Sequence, residues 1–273
     1  MELVFNINNL TERAAMGETF QDGKRESNTG IVIFDDFLLA IDPTTNFQTA
    51  SEYRKKIEEE FNLPVKYLFI THHDGDHTFG ALAFKDSIVI GHQNLTNRLQ
   101  RKIKDEWLQI KNEIVFPQIT FKEKMVINVN DIEVEFHHAG GHSDCSSYVY
   151  FPKEKVLFAG DLMFSRMFPW AGDSTASPDQ WINILQQFLD MDIKFLVPGH
   201  GPLCGKNEVR KHLNHFEELR AIVLDAIMDG TDISSINRPE FYPASSEIII
   251  SKTLEYYYQY YTHRKCVAEV KIW

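Results

Sequence analysis

Between Thr71 and Gly80 the chain reads Thr-His-His-Asp-Gly-Asp-His-Thr-Phe-Gly. Three histidines and two carboxylates fall within the six residues from His72 to His77. Imidazole nitrogens and carboxylate oxygens are ligands for divalent cations. As core they would need partners at every polar atom, and a plain surface loop favours Ser, Asn and Lys over clustered His. The stretch therefore reads as part of a metal site. It follows Tyr67-Leu68-Phe69-Ile70, an apolar run that reads as a buried strand.

Three later positions repeat the pattern of a candidate ligand beside glycine after a strand. They are His142 in Ala139-Gly140-Gly141-His142-Ser143, Asp161 in Phe158-Ala159-Gly160-Asp161, and His200 in Val197-Pro198-Gly199-His200-Gly201. Glycine lets backbone turn sharply and approach a ligand. Ligands placed after several strands converge on one sheet edge, where α/β proteins usually carry their sites.

Taken together, Thr71-His72-x-Asp74-x-Asp76-His77, Gly141-His142, Gly160-Asp161 and Pro198-Gly199-His200-Gly201 resemble the ordered motifs of the metallo-β-lactamase fold superfamily. The resemblance runs from about residue 28 to 205. It implies an αβ/βα sandwich with a one- or two-metal site at the sheet edge. Carried over residue by residue, it gives one metal to His72, Asp74 and His142 and a second to Asp76, His77 and His200, with Asp161 between them. Side-chain alternation along extended backbone agrees, because residues 72 and 74 point the same way.

One position departs from the family, which usually has histidine where this chain has Asp74. His73 lies one residue away, and strand alternation would aim it to the opposite side, so Asp74 is the expected ligand. His73 is then expected to face solvent or substrate. With Asp74 in place, each metal has two histidines, a private carboxylate and the shared Asp161. Zinc accepts that set and is the default. The extra oxygen ligand also admits iron or manganese. The chemistry implied is hydrolysis: metal lowers the pKa of bound water to about 7 and supplies hydroxide to attack an electrophile. Asp76 is expected both to bind metal and to orient that hydroxide as the catalytic carboxylate.

The elements that must position these residues are legible from periodicity. Strands are expected at Leu3 to Ile7, 31–34, 37–41, 65–70, 87–90, 147–151, 155–159 and 194–197, with hairpins about Asp35-Asp36 and about Val129-Asn130-Asp131 joining 119–128 to 131–138. Helical spacing marks 48–60, 94–110, 206–228 and 246–260. Pro178 opens another helix to about Leu189 with Ser177 as N-cap. This pattern fits an α/β fold of four layers, two facing mixed sheets with helices outside, in one domain over 1–273.

Composition narrows the partners. A net charge of −11 argues against a nucleic acid. The N-terminus lacks a signal-peptide pattern and no apolar run is long enough to span a membrane, so the expected location is cytoplasmic. Cys145, Cys204 and Cys266 suggest neither a disulfide framework nor a zinc finger. Cys145 lies near His142, but the ligand set is full without it. Cys204 reads as packing beside the His200 loop, and His138 as a buried hydrogen-bonded residue. His92, His137, His212, His215 and His263 read as surface or helix positions. Asp42, before Pro43, either buttresses a ligand histidine or serves a turn. The apolar loop 163–172 either walls a substrate pocket or is a buried connection. Tyrosines 256–258, 260 and 261 spread around a helix, to pack the core or a second copy in a homodimer. The expected partner is a small-molecule ester, thioester, lactone or amide. The rival readings are a di-iron redox or oxygen-sensing protein and, with less support, a phosphodiesterase or nuclease.

Overall fold

The computed structural model describes residues 2–236 and 247–270. Seven strands form the first sheet in sequential order: β1 (Leu3–Asn9), β2 (Ala14–Gln21), β3 (Lys24–Ile33), β4 (Leu38–Ile41), β5 (Val65–Ile70), β6 (Ile88–His92) and β7 (Ile119–Phe121). The second sheet holds β8 (Lys124–Val129), β9 (Ile132–His138), β10 (Ser147–Phe151), β11 (Val156–Phe164) and β12 (Phe195–His200), with β12 and β8 at its edges. Both sheets are mixed. Pairing is antiparallel from β1 to β4 and parallel from β4 to β7, and β11 pairs parallel with β12.

Strand alternation sorts the apolar residues into layers. Along β4, Leu38 and Ala40 face outward and Leu39 and Ile41 face inward. In β5, Leu68 and Ile70 pack outward and Phe69 packs inward. A strand buried on both faces needs apolar residues at every position, which is why Leu68-Phe69-Ile70 reads as a continuous run. The inward residues of both sheets, including Val32, Phe69, Phe136, Val149 and Phe158, make the sandwich interior. Helices α1 (Phe47–Phe61) and α2 (Gln93–Asp105) cover the first sheet. Helices α3 (Pro178–Asp190), α4 (Lys206–Asp229) and α5 (Glu247–Val270) cover the second. The result is the expected four-layer αβ/βα sandwich.

Local signals fix the helix ends. The Asn46 side chain accepts from the Thr49 amide to start α1, and Asn62 ends it in the left-handed conformation. Ser177 caps α3 as its position before Pro178 predicts. The helix expected from residue 246 has its first residue outside the described ones.

Two expectations need correction, and one strand, β2, has no counterpart among those expected. Residues 119–128 are not one hairpin arm: β7 pairs with β6 in the first sheet, while β8 belongs to the second. β11 does not stop at 159 but continues through Asp161 to Phe164, with register shifts around Gly160. The α5 tyrosines mostly serve the interior: Tyr257 and Tyr261 are buried, and the Tyr256 and Tyr261 hydroxyls bond to Ala176 and Asp179. Cys145 and Cys204 are free thiols. No helix among the described residues is long and apolar enough to cross a membrane.

Candidate metal centre

β5 ends at Ile70, and the chain turns through His72 and Asp74 into a single 3-10 turn, Gly75–His77. His142 comes from the loop after β9, Asp161 from the irregular part of β11, and His200 from the last residue of β12. Donor atoms of His72, Asp74, His142 and Asp161 lie within 4.8 Å of one another, and so do those of Asp76, His77 and His200. These two groups are the first and second sites below. The structure brings all seven candidate residues together, with Asp161 in the first group.

Asp161 stands between them. Its Oδ2 lies 3.6 Å from His72 Nε2 and 3.9 Å from His142 Nε2. Its Oδ1 lies 3.1 Å from His77 Nε2 and 3.5 Å from His200 Nε2. Asp74 Oδ2 is 3.2 Å from His142 Nε2, and Asp76 Oδ2 is 3.1 Å from His200 Nε2. Two donors each ~2.1 Å from one ion at a tetrahedral angle would be about 3.4 Å apart, which is the spacing seen. His72 Nε2 and Asp161 Oδ1 are buried and make no well-directed hydrogen bond. Orphaned buried polar atoms are costly, and these two face the space between the ligands. The residues therefore fit a pair of cations.

The outer contacts fix the imidazoles. His77 Nδ1 donates to Asp42 Oδ2 at 2.8 Å, and His142 Nδ1 donates to the Trp170 carbonyl at 3.0 Å. The Thr71 hydroxyl donates to Asp42 and so accepts from His72 Nδ1 at 2.9 Å. Each contact places the ring proton on Nδ1 and leaves the Nε2 lone pair facing inward. Asp42, with a φ of 59°, is thus both the turn residue and the buttress that the sequence left open.

Close packing makes two glycines obligatory. A Cβ at Gly199 would lie 1.9 Å from Asp161 Oδ1. Gly160 has a φ of 51°, and a Cβ there would meet the Thr71 side chain at 2.7 Å. Across the sheets, the Asn28 amide on β3 donates to the Pro198 and Gly201 carbonyls at 2.9 and 2.8 Å, holding the His200 loop.

The carboxylates and imidazoles offset one another's charge. Burial alone would lower the His200 pKa, but Asp161 and Asp76 outweigh it and raise it to about 10. Burial would likewise raise Asp161, yet the surrounding His200, His77 and His72 hold it well below the carboxylate range. Burial, with His77 nearby, pushes His72 down.

His73 does not face solvent. It is buried, with Nε2 3.2 Å from Asp173 Oδ2 and 3.6 Å from Asp74 Oδ1, and Nδ1 3.5 Å from Cys145 Sγ. Burial would lower its pKa, but Asp173 and Cys145 raise it to about 10. No local signal marks Asp173 as its partner, one hundred residues on. Nor does the sequence show that Arg98 forks onto Asp144, or that a backbone carbonyl holds His142. His92 is a further correction: it is buried, caps α2 and stacks on His138 with centroids 3.9 Å apart. His138 itself is hydrogen-bonded to the Asp144 carbonyl.

Beside Asp74 the centre opens onto a cleft of about 400 Å³, lined by His73, Arg98, Arg101, Lys102, Trp170 and Asp173, among others. Trp170 belongs to the 163–172 segment, which lines this cleft and also runs through the core. Trp170 lines the cleft, while Phe164 and Phe168 are buried in the core.

A profile of the metallo-β-lactamase superfamily matches residues 22–200. The chain belongs to that superfamily. Among relatives of this metallo-β-lactamase superfamily chain, hydroxyacylglutathione hydrolase of Bartonella henselae is 29% identical over 189 residues, 64% of this chain and 64% of that one. The lactamase-like protein aptB of Emericella nidulans is 22% identical over 198 residues, 72% of this chain and 58% of that one. The chain thus spans less than two thirds of the length of these relatives. Solved structures show the same fold. A metallo-β-lactamase from Pontibacter korlensis aligns with a TM-score of 0.65 at 20% identity, covering 78% of this chain and 99% of that one. A sec-alkylsulfatase from a Pseudomonas species aligns with a TM-score of 0.74 at 14% identity, covering 94% of this chain and 50% of that one.

Proposed function

We propose that this superfamily member is a dinuclear metal-dependent hydrolase of a small molecule carrying an ester, thioester, lactone or amide bond. The carrying observation is Asp161, whose two oxygens face the two ligand groups separately. When bound there, divalent cations supply a water of lowered pKa and polarise the electrophile. The protein's own groups do the rest. Asp42, Thr71 and the Trp170 carbonyl keep protons off the inward nitrogens. Asp76, with 35% of its side chain exposed, is placed to orient the attacking water and accept its proton. The cleft beside Asp74 receives the substrate, and Trp170 excludes water from one side. A thioester leads the candidates because the Bartonella relative is a hydroxyacylglutathione hydrolase.

A second reading follows from Asp74. A carboxylate in place of histidine gives each site two nitrogens and two oxygens, a set that suits iron as well as zinc. A di-iron redox or oxygen-sensing role is the alternative. Metal analysis of protein purified without added metal separates the two, followed by a screen of esters, thioesters, lactones and amides. Two zincs with turnover of one of these classes is the expected result. Two irons with an oxygen-sensitive visible spectrum and no hydrolysis would replace the proposal with the alternative.

A further inference from the structure

The segment Pro169–Ser177 touches the first site at several points. The Trp170 carbonyl accepts the His142 Nδ1 proton at 3.0 Å. The Ser177 amide donates to the Gly141 carbonyl at 2.7 Å, next to the ligand. The Asp173 carboxylate lies 3.2 Å from His73 Nε2, beside Asp74. Thr175 Oγ1 accepts from the Asp144 amide at 3.0 Å, two residues after His142.

That segment is in turn held by one face of α5. Thr253 is fully buried; its hydroxyl donates to the Pro169 carbonyl at 3.2 Å and accepts from the Ala171 amide at 3.4 Å. These two bonds bracket Trp170. The Tyr256 hydroxyl donates to the Ala176 carbonyl at 2.6 Å, and the Tyr260 hydroxyl pairs with Ser177 Oγ at 2.9 Å. Residues 253, 256 and 260 are spaced to share a helix face. The second site is held from elsewhere. Asp42 at the end of β4 orients His77, Ser27 on β3 donates to the Asp76 carbonyl, and Asn28 on β3 grips the His200 loop. The superfamily match ends at residue 200, so α5 lies outside it.

We infer that α5 is the support of the first metal site alone, and that Thr253 is a positioning residue for His142 through the Trp170 carbonyl. This rests on the two-site metal reading above. Thr253→Val keeps the shape and burial and removes both hydrogen bonds. Thr253→Ser keeps the hydroxyl. Metal-free protein is titrated with zinc against a chromophoric chelator. One of the two zinc affinities is expected to fall about 10-fold in Thr253→Val, with the other unchanged and Thr253→Ser close to wild type. Equal affinities in Val variant and wild type, or equal weakening of both, would overturn the inference.

A second readout does not need metal. In metal-free protein, the NMR signal of the His142 Nδ1 proton is expected to shift and to exchange faster in Thr253→Val, with the His77 Nδ1 proton unmoved. An unchanged His142 signal would sink the positioning role. If wild type binds no ions, the two-site reading fails, and this signal still decides whether Thr253 positions His142. Should Thr253→Val not fold, Tyr256→Phe takes its place, with the same first-site loss expected and the same results overturning it.

Discussion

Asp42 follows β4 in the left-handed region and accepts three bonds, from the Thr71 amide, the Thr71 hydroxyl and His77 Nδ1. An asparagine would keep the backbone conformation, which Asn tolerates, and could still accept from the Thr71 amide. Its NH₂ group, however, would then take the place of Oδ2 and face both the His77 ring proton and the Thr71 hydroxyl proton. Turned to His77, it favours the tautomer with the proton on Nε2, which blocks the inward lone pair. Asp42→Asn is therefore expected to weaken the second ion roughly 10- to 100-fold with little change in metal-free stability. A chelator-competition titration measures this, and an unaltered affinity would remove Asp42 from its assigned role. The gathering of the candidate ligands was legible because metal chemistry restricts residue types and strand geometry restricts direction. Alternation alone favoured Asp74 over His73, and Asp74 is the residue whose carboxylate meets His142. The destination of His73 was not legible, because its partner Asp173 is fixed by tertiary packing and by nothing nearby in the chain.

At the scale of elements, α4 carries a group whose cost depends on pH. His212 is fully buried, and neither ring nitrogen has a hydrogen-bond partner. Burial pushes its pKa down to about 3. Above pH 6.5 the ring is neutral in both folded and unfolded chains. As pH falls from 6.5 towards 3, only the unfolded chain takes up the proton, so stability is lost across that window, up to a few kcal/mol, roughly 1.4 kcal/mol per pH unit. Urea unfolding of wild type and His212→Leu at pH 7 and pH 4.5 is expected to show a smaller acid loss in the variant. Equal losses would show that another group titrates. The sequence reads His212 as a surface or helix position; it is on a helix, but Val209, Leu213, Phe216 and Leu219 place it within the buried apolar stripe of α4. β5 and α1 were found by periodicity and caps. The break between β7 and β8 was missed because only Lys122-Glu123 separates them, with no glycine or proline to mark the crossing from one sheet to the other.

Across the whole molecule, each candidate site draws its residues from both sheets. His72, Asp74, Asp76 and His77 follow β5 of the first, and His142, Asp161 and His200 belong to the second. Ions bound there would tie the layers together in the folded state only. At free metal about 1,000 times the Kd, one such ion stabilises by about 4 kcal/mol. Chelation is expected to lower the Tm by roughly 10 °C for a chain of this size, as scanning calorimetry with and without chelator would measure. An unmoved Tm would argue against ions bridging the sheets. The division of ligands also sets an order in time. The first group is incomplete until β9 and β11, and the second until β12, have formed and docked against β5. Metal capture should then be a late event in refolding, trailing the burial of the sandwich interior. A metal-sensitive dye followed by stopped flow would register the moment the two halves meet.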